Sequence, residues 1–216
     1  MYLPRHFTEE RVHFLHRLIE AHPLGTLVTP GPDGPEANHL HFEISPEPAP
    51  FGTLRGHVAR ANPVWRSAVS GAPALVIFHG PDGYVSPSLY PSKREDARVV
   101  PTWNYLVVHA HGTLRAIEDP AWLRAFVERL TRRHEASRRE PWQVSDAPED
   151  FIASMLRGIV GLELPVAKLV GKSKLSQNRS PADRRAALEG LRREGGAAGE
   201  ALAAWMRDTV LASEDS

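Results

Sequence analysis

The stretch Thr102-Trp-Asn-Tyr-Leu-Val-Val-His-Ala-His-Gly-Thr-Leu-Arg-Ala-Ile117 decides the fold, because polar and apolar side chains alternate along most of it. Successive side chains of a β-strand point to opposite faces, so this period of two predicts a strand that is buried on one face. The polar face carries His109, His111 and Thr113, and the apolar face carries Val108, Ala110 and Leu114.

Shorter β-like runs lie on both sides of that strand. Residues 24–29 and 36–44 flank the turn sequence Gly31-Pro-Asp-Gly34, which predicts two strands joined by a tight connection. Residues 53–58, 74–79 and 158–170 are further strand candidates, and Pro165 predicts an edge position or a bulge in the last of them. Residues 86–101 contain three prolines and many charges, which predicts an ordered loop.

Helical periodicity is confined to segments between and after these runs. Residues 8–21 repeat apolar side chains at helical spacing, with Thr8 as the expected N-cap. Asp119-Pro120 predicts the start of another amphipathic helix. Residues 63–69, 149–156 and 182–193 and the segment after residue 199 are the other helix candidates. This order predicts an α+β fold, a small barrel with peripheral helices, whose open side a partner closes.

Composition places the chain among ordinary globular proteins. Its 216 residues are 42% hydrophobic and 24% charged, which suits one compact domain with or without a helical appendage. Lys and Arg together number 26, as do Asp and Glu, so the net charge gives no electrostatic footprint for DNA. Direct DNA binding would need a local basic patch.

Several classes of site are excluded by missing residues or motifs. The chain contains no cysteine, which excludes disulfides, thiolate metal sites and cysteine nucleophiles. Gly-x-Ser-x-Gly, GxGxxG and P-loop patterns are absent, which argues against α/β-hydrolase, Rossmann and Walker sites. No apolar stretch approaches the ~18 residues of a membrane span, and no signal pattern opens the chain, so we expect a cytoplasmic protein without membrane association.

Three short stretches concentrate polar, basic and aromatic side chains where β-like runs end. They are Gly56-His-Val-Ala-Arg-Ala-Asn-Pro63, Val100-Pro-Thr-Trp-Asn-Tyr105 and Lys172-Ser-Lys-Leu-Ser-Gln-Asn-Arg179. The rigid backbone at the end of a strand can aim a side chain at a ligand. These stretches are therefore the first candidates for a binding site.

In this order the stretches resemble the PaiB family, the FMN-binding negative transcriptional regulators. The resemblance runs from Met1-Tyr-Leu-Pro4 to about Arg185 and includes Gly80-Pro81, Tyr84-Val-Ser-Pro-Ser88, Tyr90-Pro-Ser-Lys93 and Gly158-Ile-Val-Gly161. It implies an FMN-binding split β-barrel over residues 1–180, a C-terminal helical extension over residues 181–216, and a homodimer that holds FMN between two barrels. It also implies negative regulation of genes, directly or through a partner.

The chemistry of FMN and this resemblance together select the candidate cofactor-binding residues. FMN presents a doubly charged phosphate, a ribityl chain and a flat ring, so its site needs cations, amide donors and an aromatic or apolar wall. Arg60 and Asn62 suit the phosphate, with a surface charge and a helix cap as the alternative interpretations. His57 is expected to be a polar residue of the flavin pocket.

Other candidates come from the loop after residue 85 and from the two later stretches. The aromatic pair Trp103 and Tyr105 could stack on the flavin ring while the amide of Asn104 bonds the ring edge, with a core or interface position as the alternative. The remaining candidates are Ser88, Tyr90 and Lys93 in the loop and Lys174, Gln177 and Arg179 in the last stretch, where Lys172 and Asn178 belong to the same cluster. A solvated loop is the alternative interpretation of both groups.

Two other functions stay open on sequence alone. An FMN-dependent oxidoreductase of the pyridoxamine-phosphate oxidase-like class would use the same cofactor, and some split barrels bind haem, for which His57 is the axial candidate. No catalytic residue stands out, so enzymatic activity is left open. The alternating pairs His39 with His41 and His109 with His111 are expected to line polar cavities and not to bind metal.

Overall fold

A computed structural model describes residues 1–69 and 71–211, and within them the backbone forms a nine-stranded sheet. The strands are β1 (Thr8–Glu9), β2 (Leu24–Gly31), β3 (Gly34–His41), β4 (Glu43–Ser45), β5 (Thr53–Ala59), β6 (Pro73–Val85), β7 (Thr102–Thr113), β8 (Arg115–Ile117) and β9 (Ile159–Lys174). Their order is β3-β2-β6-β7-β9-β5-β4, and β1 and β8 each pair with β9.

The strand predictions from periodicity are confirmed in most places. The predicted long strand is β7, and β2 and β3 form an antiparallel hairpin whose register ends at Gly31 opposite Gly34. Gly34 has a φ of 129°, which a side chain would strain, so glycine is required at this turn. The predicted edge position of Pro165 is wrong, because β9 lies between β7 and β5 and Pro165 is the last residue paired with β5.

The helices lie between and after the strands. Their bounds are α1 (Val12–Ala21), α2 (Val64–Val69), α3 (Pro120–Glu135), α4 (Glu149–Arg157), α5 (Pro181–Glu194) and α6 (Gly196–Leu211). Asp119 caps α3 through its side chain, as predicted. The predicted cap at Thr8 is wrong, because Thr8 pairs with Lys172 in the sheet and α1 begins at Val12. None of the described helices combines the length and the apolar character needed to cross a membrane.

The described residues divide into two compact units. The first unit contains Met1–Leu15, His79–Val108 and the described residues from Val170 onward. The second unit contains His16–Phe78 and His109–Leu169. Because α5 and α6 fall in the first unit, the predicted division into residues 1–180 and 181–216 stays a proposal, and residues 212–216 lie outside the described residues.

In the first unit, α5 and α6 cover one face of the sheet. A Cβ atom at Gly83 of β6 would lie 3.1 Å from Leu202 of α6, and Asn104 of β7 lies against Met206 of the same helix. Strand side chains alternate between faces, so the neighbours of these two residues point to the opposite face. These neighbours are Asp82, Tyr84, Trp103 and Tyr105.

In the second unit, aromatic side chains hold helix and sheet together. Phe42 packs edge to face on Phe78, with ring centroids 5.9 Å apart. Trp122 stacks on Phe126 at 5.2 Å, and a Cβ atom at Gly161 would collide with the Trp122 ring. Glycine is therefore required at position 161 for α3 to approach β9 this closely.

Candidate functional site

Two aromatic side chains lie exposed on the face of the first unit opposite α5 and α6. Trp103 is 51% exposed and Tyr84 is 52% exposed. Their ring centroids are 6.3 Å apart, and the Trp103 indole Nε1 donates a hydrogen bond to Asp82 Oδ1 at 2.7 Å. The predicted residue Trp103 is thus held in one orientation while its ring stays available to a flat ligand.

Two lysines of β9 lie next to Trp103. Lys174 Nζ donates hydrogen bonds to Thr102 Oγ1 at 2.6 Å and to the Trp103 carbonyl oxygen at 2.7 Å. The Nζ atoms of Lys172 and Lys174 lie 5.3 Å and 5.9 Å from the centroid of the Tyr105 ring. One aromatic ring therefore contacts two ammonium groups.

These two ammonium groups are not neutralised by a carboxylate among the described residues. Lys172 is only 8% exposed, and its Nζ donates to the Tyr2 carbonyl oxygen at 3.0 Å. Burial lowers the pKa of Lys174, Tyr105 opposes this shift, and the charge of Lys172 lowers the pKa further. A buried lysine normally has an acidic partner, so this pair is suited to an anionic ligand.

The loop after β6 brings further predicted residues together. Lys93 Nζ lies 3.5 Å from Ser88 Oγ, and the guanidinium carbon of Arg179 lies 4.9 Å from the centroid of the Tyr90 ring. Tyr90 is 2% exposed, and no described residue forms a hydrogen bond with its hydroxyl group. A buried hydroxyl without a partner is costly, so a ligand or water atom is expected beside it.

Asn104 and Gln177 have structural roles within the same unit. Asn104 is fully buried, and its Nδ2 donates to Ser176 Oγ at 3.0 Å. Gln177 Oε1 accepts from the Leu175 backbone N–H at 2.7 Å, and Gln177 Nε2 donates to the Ser173 carbonyl oxygen at 2.5 Å. These contacts fix the turn after β9, where Ser176 has a φ of 66°. Ligand binding by either amide stays a prediction.

In the second unit, Arg60 already has three acceptors. Its Nη1 donates to Glu118 Oε2 at 2.5 Å, its Nε to the Arg157 carbonyl oxygen at 2.9 Å, and its Nη2 to the Ile159 carbonyl oxygen at 3.2 Å. A phosphate at Arg60 would compete with the Glu118 carboxylate for the guanidinium. The predicted phosphate contact therefore stays a prediction, with a competing partner now identified.

Asn62 and His57 lie on the same segment of the second unit. Asn62 Oδ1 accepts from the Val64 backbone N–H at 3.0 Å, and Asn62 Nδ2 donates to Asn38 Oδ1 at 2.8 Å. Asn62 therefore caps α2, which has only six residues. The His57 ring packs edge to face on Phe126 at 5.8 Å, and burial lowers the pKa of His57.

The alternating histidines make two histidine–histidine contacts, and the expectation that they do not bind metal stays a prediction. His41 Nε2 lies 2.8 Å from His134 Nε2, and the His109 and His111 ring centroids are 6.3 Å apart. In the described part of the chain, no group of three His, Asp or Glu side chains could hold a metal ion.

The sequence analysis placed Tyr105 beside Trp103 and Lys172 beside Lys174 in the candidate stretches, but it did not select Tyr84 as a binding residue. The strand period supports these pairs, because Lys172 and Lys174 are two residues apart and must share one face of β9. Tyr105 and Trp103 share one face of β7 for the same reason. The pairing of β7 with β9, which brings the two faces together, was not predicted.

The first unit has the groups that FMN requires. Eight of the predicted residues lie in it, namely Ser88, Tyr90, Lys93, Trp103, Asn104, Lys174, Gln177 and Arg179. They include cations without carboxylate partners for a phosphate, an exposed aromatic ring for the flavin, and a buried hydroxyl group without a partner. His57, Arg60 and Asn62 lie in the second unit.

Solved structures show the fold of the chain. The chain superposes on the FAD and heme binding protein from Mycobacterium smegmatis with a TM-score of 0.58 and 21% identity, over 77% of this chain and 73% of that one. A conserved hypothetical protein from Mycobacterium tuberculosis also gives 0.58, at 12% identity, over 83% of this chain and 94% of that one. The predicted fold, an α+β split β-barrel of the flavin-binding class, is confirmed.

Residues 1–168 match the family described as "Putative FMN-binding domain". The chain belongs to this family, and the predicted membership of the PaiB type is confirmed. FMN is thereby confirmed as the cofactor of the family.

Two relatives match along most of their length. The protease synthase and sporulation protein PAI 2 of Bacillus subtilis is 31% identical over 213 residues, which cover 97% of this chain and 98% of that protein. The uncharacterized protein AN0679 of Emericella nidulans is 32% identical over 243 residues, with 96% and 97% coverage.

Proposed function

We propose that the chain is a PaiB-type regulator that binds FMN in its first unit, forms a homodimer in the cytoplasm and represses genes directly or through a partner. The proposed FMN-binding residues are the eight predicted residues of the first unit, together with Lys172 and Tyr105. His57, Arg60 and Asn62 of the second unit complete the set predicted from sequence.

The absence of carboxylate partners at four cations of the first unit carries the proposal. Lys93, Lys172, Lys174 and Arg179 contact hydroxyl, carbonyl or aromatic groups, and no carboxylate of the described residues pairs with them. Arginines of the second unit are instead paired with glutamates, namely Arg55 with Glu163, Arg60 with Glu118, Arg124 with Glu149 and Arg129 with Glu43. The first unit therefore has the charge that a phosphate needs.

Each group in this unit matches one part of the ligand. The lysines suit the phosphate, the exposed Trp103 and Tyr84 rings suit the flavin, and the unpaired Tyr90 hydroxyl suits a ribityl hydroxyl or a ring carbonyl. Bound FMN would supply redox chemistry, while these side chains bind and orient it.

The regulatory part of the proposal depends on the family and on the name of the B. subtilis relative, which refers to protease synthesis and sporulation. The net charge of zero favours repression through a partner over direct contact with DNA.

A titration with FMN and riboflavin tests the binding proposal. Riboflavin lacks the phosphate, so we expect micromolar FMN binding, measured by flavin fluorescence, and at least ~10-fold weaker riboflavin binding. Equal affinities for FMN and riboflavin would show that Lys93, Lys172, Lys174 and Arg179 do not bind the phosphate. A colourless protein without micromolar FMN affinity would contradict the proposal, and a Soret band would favour the haem alternative.

The same preparation separates regulation from catalysis. We expect FMN reduction by NAD(P)H no faster than that of free FMN, and weak retention of DNA fragments that disappears at physiological salt. Turnover well above that of free flavin would favour the oxidoreductase alternative. Salt-resistant retention of one fragment would favour direct repression over repression through a partner.

A further inference from the structure

A cavity of about 500 Å³ lies between α3 and α4 in the second unit. Apolar side chains of both helices line it, including Leu123, Ala153 and Leu156. Charged side chains line it as well, among them Arg60, Arg124 and Arg157. Cavities of this size and mixed lining are typical of sites for small molecules.

Basic side chains outnumber acidic side chains in the lining of this cavity. Three arginines face two glutamates, Glu118 and Glu149. Arg60 pairs with Glu118 at 2.5 Å, and Arg124 pairs with both Glu149 and Glu128. Among the described residues no carboxylate pairs with the exposed Arg157 guanidinium, so Arg157 is the arginine of this cavity that is available to an anion.

The existing ion pairs leave room for a competing anion. The side chains of Glu118 and Glu149 are 56% and 72% exposed, and ion pairs of such exposure contribute little to stability. A carboxylate held by Arg157 would compete with Glu149 for the Arg124 guanidinium, whose other partner is Glu128. Leu123 is only 2% exposed, so the cavity wall on this side is apolar.

We propose that the cavity between α3 and α4 binds a small organic acid, a monocarboxylate with an apolar body. Arg157 and Arg124 bind the carboxylate, while Leu123, Ala153 and Leu156 contact the apolar body. All its residues lie in the second unit, and they include Arg60, which is also a predicted FMN-binding residue, whereas Arg124, Arg157 and Ala153 are not.

Arg60 contacts two backbone carbonyl groups, and these contacts indicate how a ligand bound in the cavity would affect the neighbouring elements. Arg60 joins the end of α4, through the Arg157 carbonyl, to the start of β9, through the Ile159 carbonyl. A ligand seated against this junction adds contacts to both elements only when they are folded, so it stabilises them. Such an acid would be a natural effector for a regulator.

Octanoate and octanamide form a matched pair of probes, because they differ in charge and share the apolar chain. With about ten non-hydrogen atoms, octanoate should bind with a Kd of roughly 0.1–1 mM, measured by isothermal titration calorimetry. Octanamide should bind at least ~10-fold more weakly. Equal affinities, or no octanoate binding at millimolar concentration, would overturn the proposal.

Two variants and one control locate the probe. Arg157→Gln should weaken octanoate binding about 5-fold, and Ala153→Trp, which fills the cavity, should abolish it. Arg138→Gln removes an exposed arginine outside the cavity and should leave octanoate binding unchanged. Unchanged binding to Arg157→Gln would overturn the proposal even if Ala153→Trp fails to fold. FMN titration of each variant is a separate readout, and we expect it to be unaffected.

Discussion

Arg60 and Lys174 are both candidate cofactor-binding cations, but only Arg60 is already neutralised by a carboxylate among the described residues. The Arg60 guanidinium donates to the Glu118 carboxylate, which already balances its charge. Lys174 donates only to a hydroxyl and a carbonyl oxygen, and both of these are neutral. A second cation, Lys172, lies over the same Tyr105 ring and adds to the uncompensated charge. Lys174 is therefore the better single test of phosphate binding.

Lys174→Met should weaken FMN binding by about 1.5 kcal/mol or more, because it removes a charged hydrogen bond while keeping most of the apolar stem. Fluorescence titration measures the change. Lys168→Met is the matched control, since Lys168 is an exposed lysine of the same strand. Riboflavin binding should be almost unchanged in both variants. An equal loss of FMN and riboflavin affinity in Lys174→Met would show that Lys174 does not contact the phosphate.

Arg60→Ala tests the prediction made from sequence. If Arg60 binds the phosphate, the variant loses at least ~1.5 kcal/mol of FMN affinity. The loss of its three acceptor contacts should also lower the free energy of unfolding, so binding must be measured on folded protein. Unchanged affinity of the folded variant would place the phosphate elsewhere.

At the scale of elements, polar contacts join the C-terminal half of α3 to neighbouring segments. His134 Nε2 lies 2.8 Å from His41 Nε2 of β3, and Arg129 pairs with Glu43 of β4 at 3.2 Å. Burial lowers the pKa of His41, the charges of His134, Arg133 and His57 lower it further, and Glu43 opposes them. His41 Nδ1 is buried without a hydrogen-bond partner in the described residues. The contact requires one of the two Nε2 atoms to accept a hydrogen bond, and burial together with the neighbouring positive charges favours the neutral form of His41.

The free energy of unfolding should fall as the pH drops below about 6.5. The pKa of His41 is lower in the folded chain than in the unfolded chain, so the unfolded chain takes up the proton first and is stabilised by acid. The loss ends once the pH is below the folded pKa. Urea unfolding at pH 8, 7, 6 and 5 measures this dependence.

His41→Gln should reduce the pH dependence without removing it, because burial also lowers the pKa of His57, His22 and His111. His39→Gln, which replaces an exposed histidine of the same strand, should leave the dependence unchanged. Identical pH profiles for His41→Gln and the parent protein would contradict the role given to His41.

Secondary-structure elements whose conformation is determined by residues close in sequence could be predicted from the sequence. Strand β7 follows from alternation, the β2–β3 turn from Gly34, and the start of α3 from Asp119. The cap expected at Thr8 failed because a distant segment competes for the backbone, since Thr8 pairs with Lys172. Local periodicity does not reveal such a partner.

The candidate site could be predicted only as a list of residue types. Whether Arg60 is available depends on Glu118, and whether Asn104 is exposed depends on Ser176, which is 72 positions away in the sequence. Nothing in the local sequence of either residue indicates these partners. The unpaired hydroxyl of Tyr90 likewise depends on its burial by the tertiary structure.

At the scale of the whole molecule, a net charge of zero conceals an uneven distribution. The second unit pairs Arg55, Arg60, Arg124 and Arg129 with glutamates, whereas the first unit leaves Lys172 and Lys174 without carboxylates among the described residues. The sum over the chain therefore says little about anion binding, because local neutralisation decides which cations are available.

Exposed apolar side chains of the first unit support the proposed homodimer. Large side chains of this unit that are more than half exposed are Met1, Tyr2, Tyr84, Val100 and Trp103. Burying such side chains against a second copy would contribute about 25 cal/mol per Å² of apolar area, and aromatic residues are enriched in the cores of interfaces. Flavin binding beside Trp103 would then depend on association.

Tyr84→Lys should weaken the dimer at least ~10-fold, because it places a charge in an apolar interface and removes an aromatic contact. Sedimentation velocity over a concentration series measures the monomer–dimer equilibrium, and it is the deciding measurement because Tyr84 is also a proposed contact of the flavin ring. Phe151→Lys is the matched control, since Phe151 of α4 in the second unit is 53% exposed and should not affect association. A monomeric parent protein, or equal weakening by both substitutions, would rule out the exposed face of the first unit as the dimer interface.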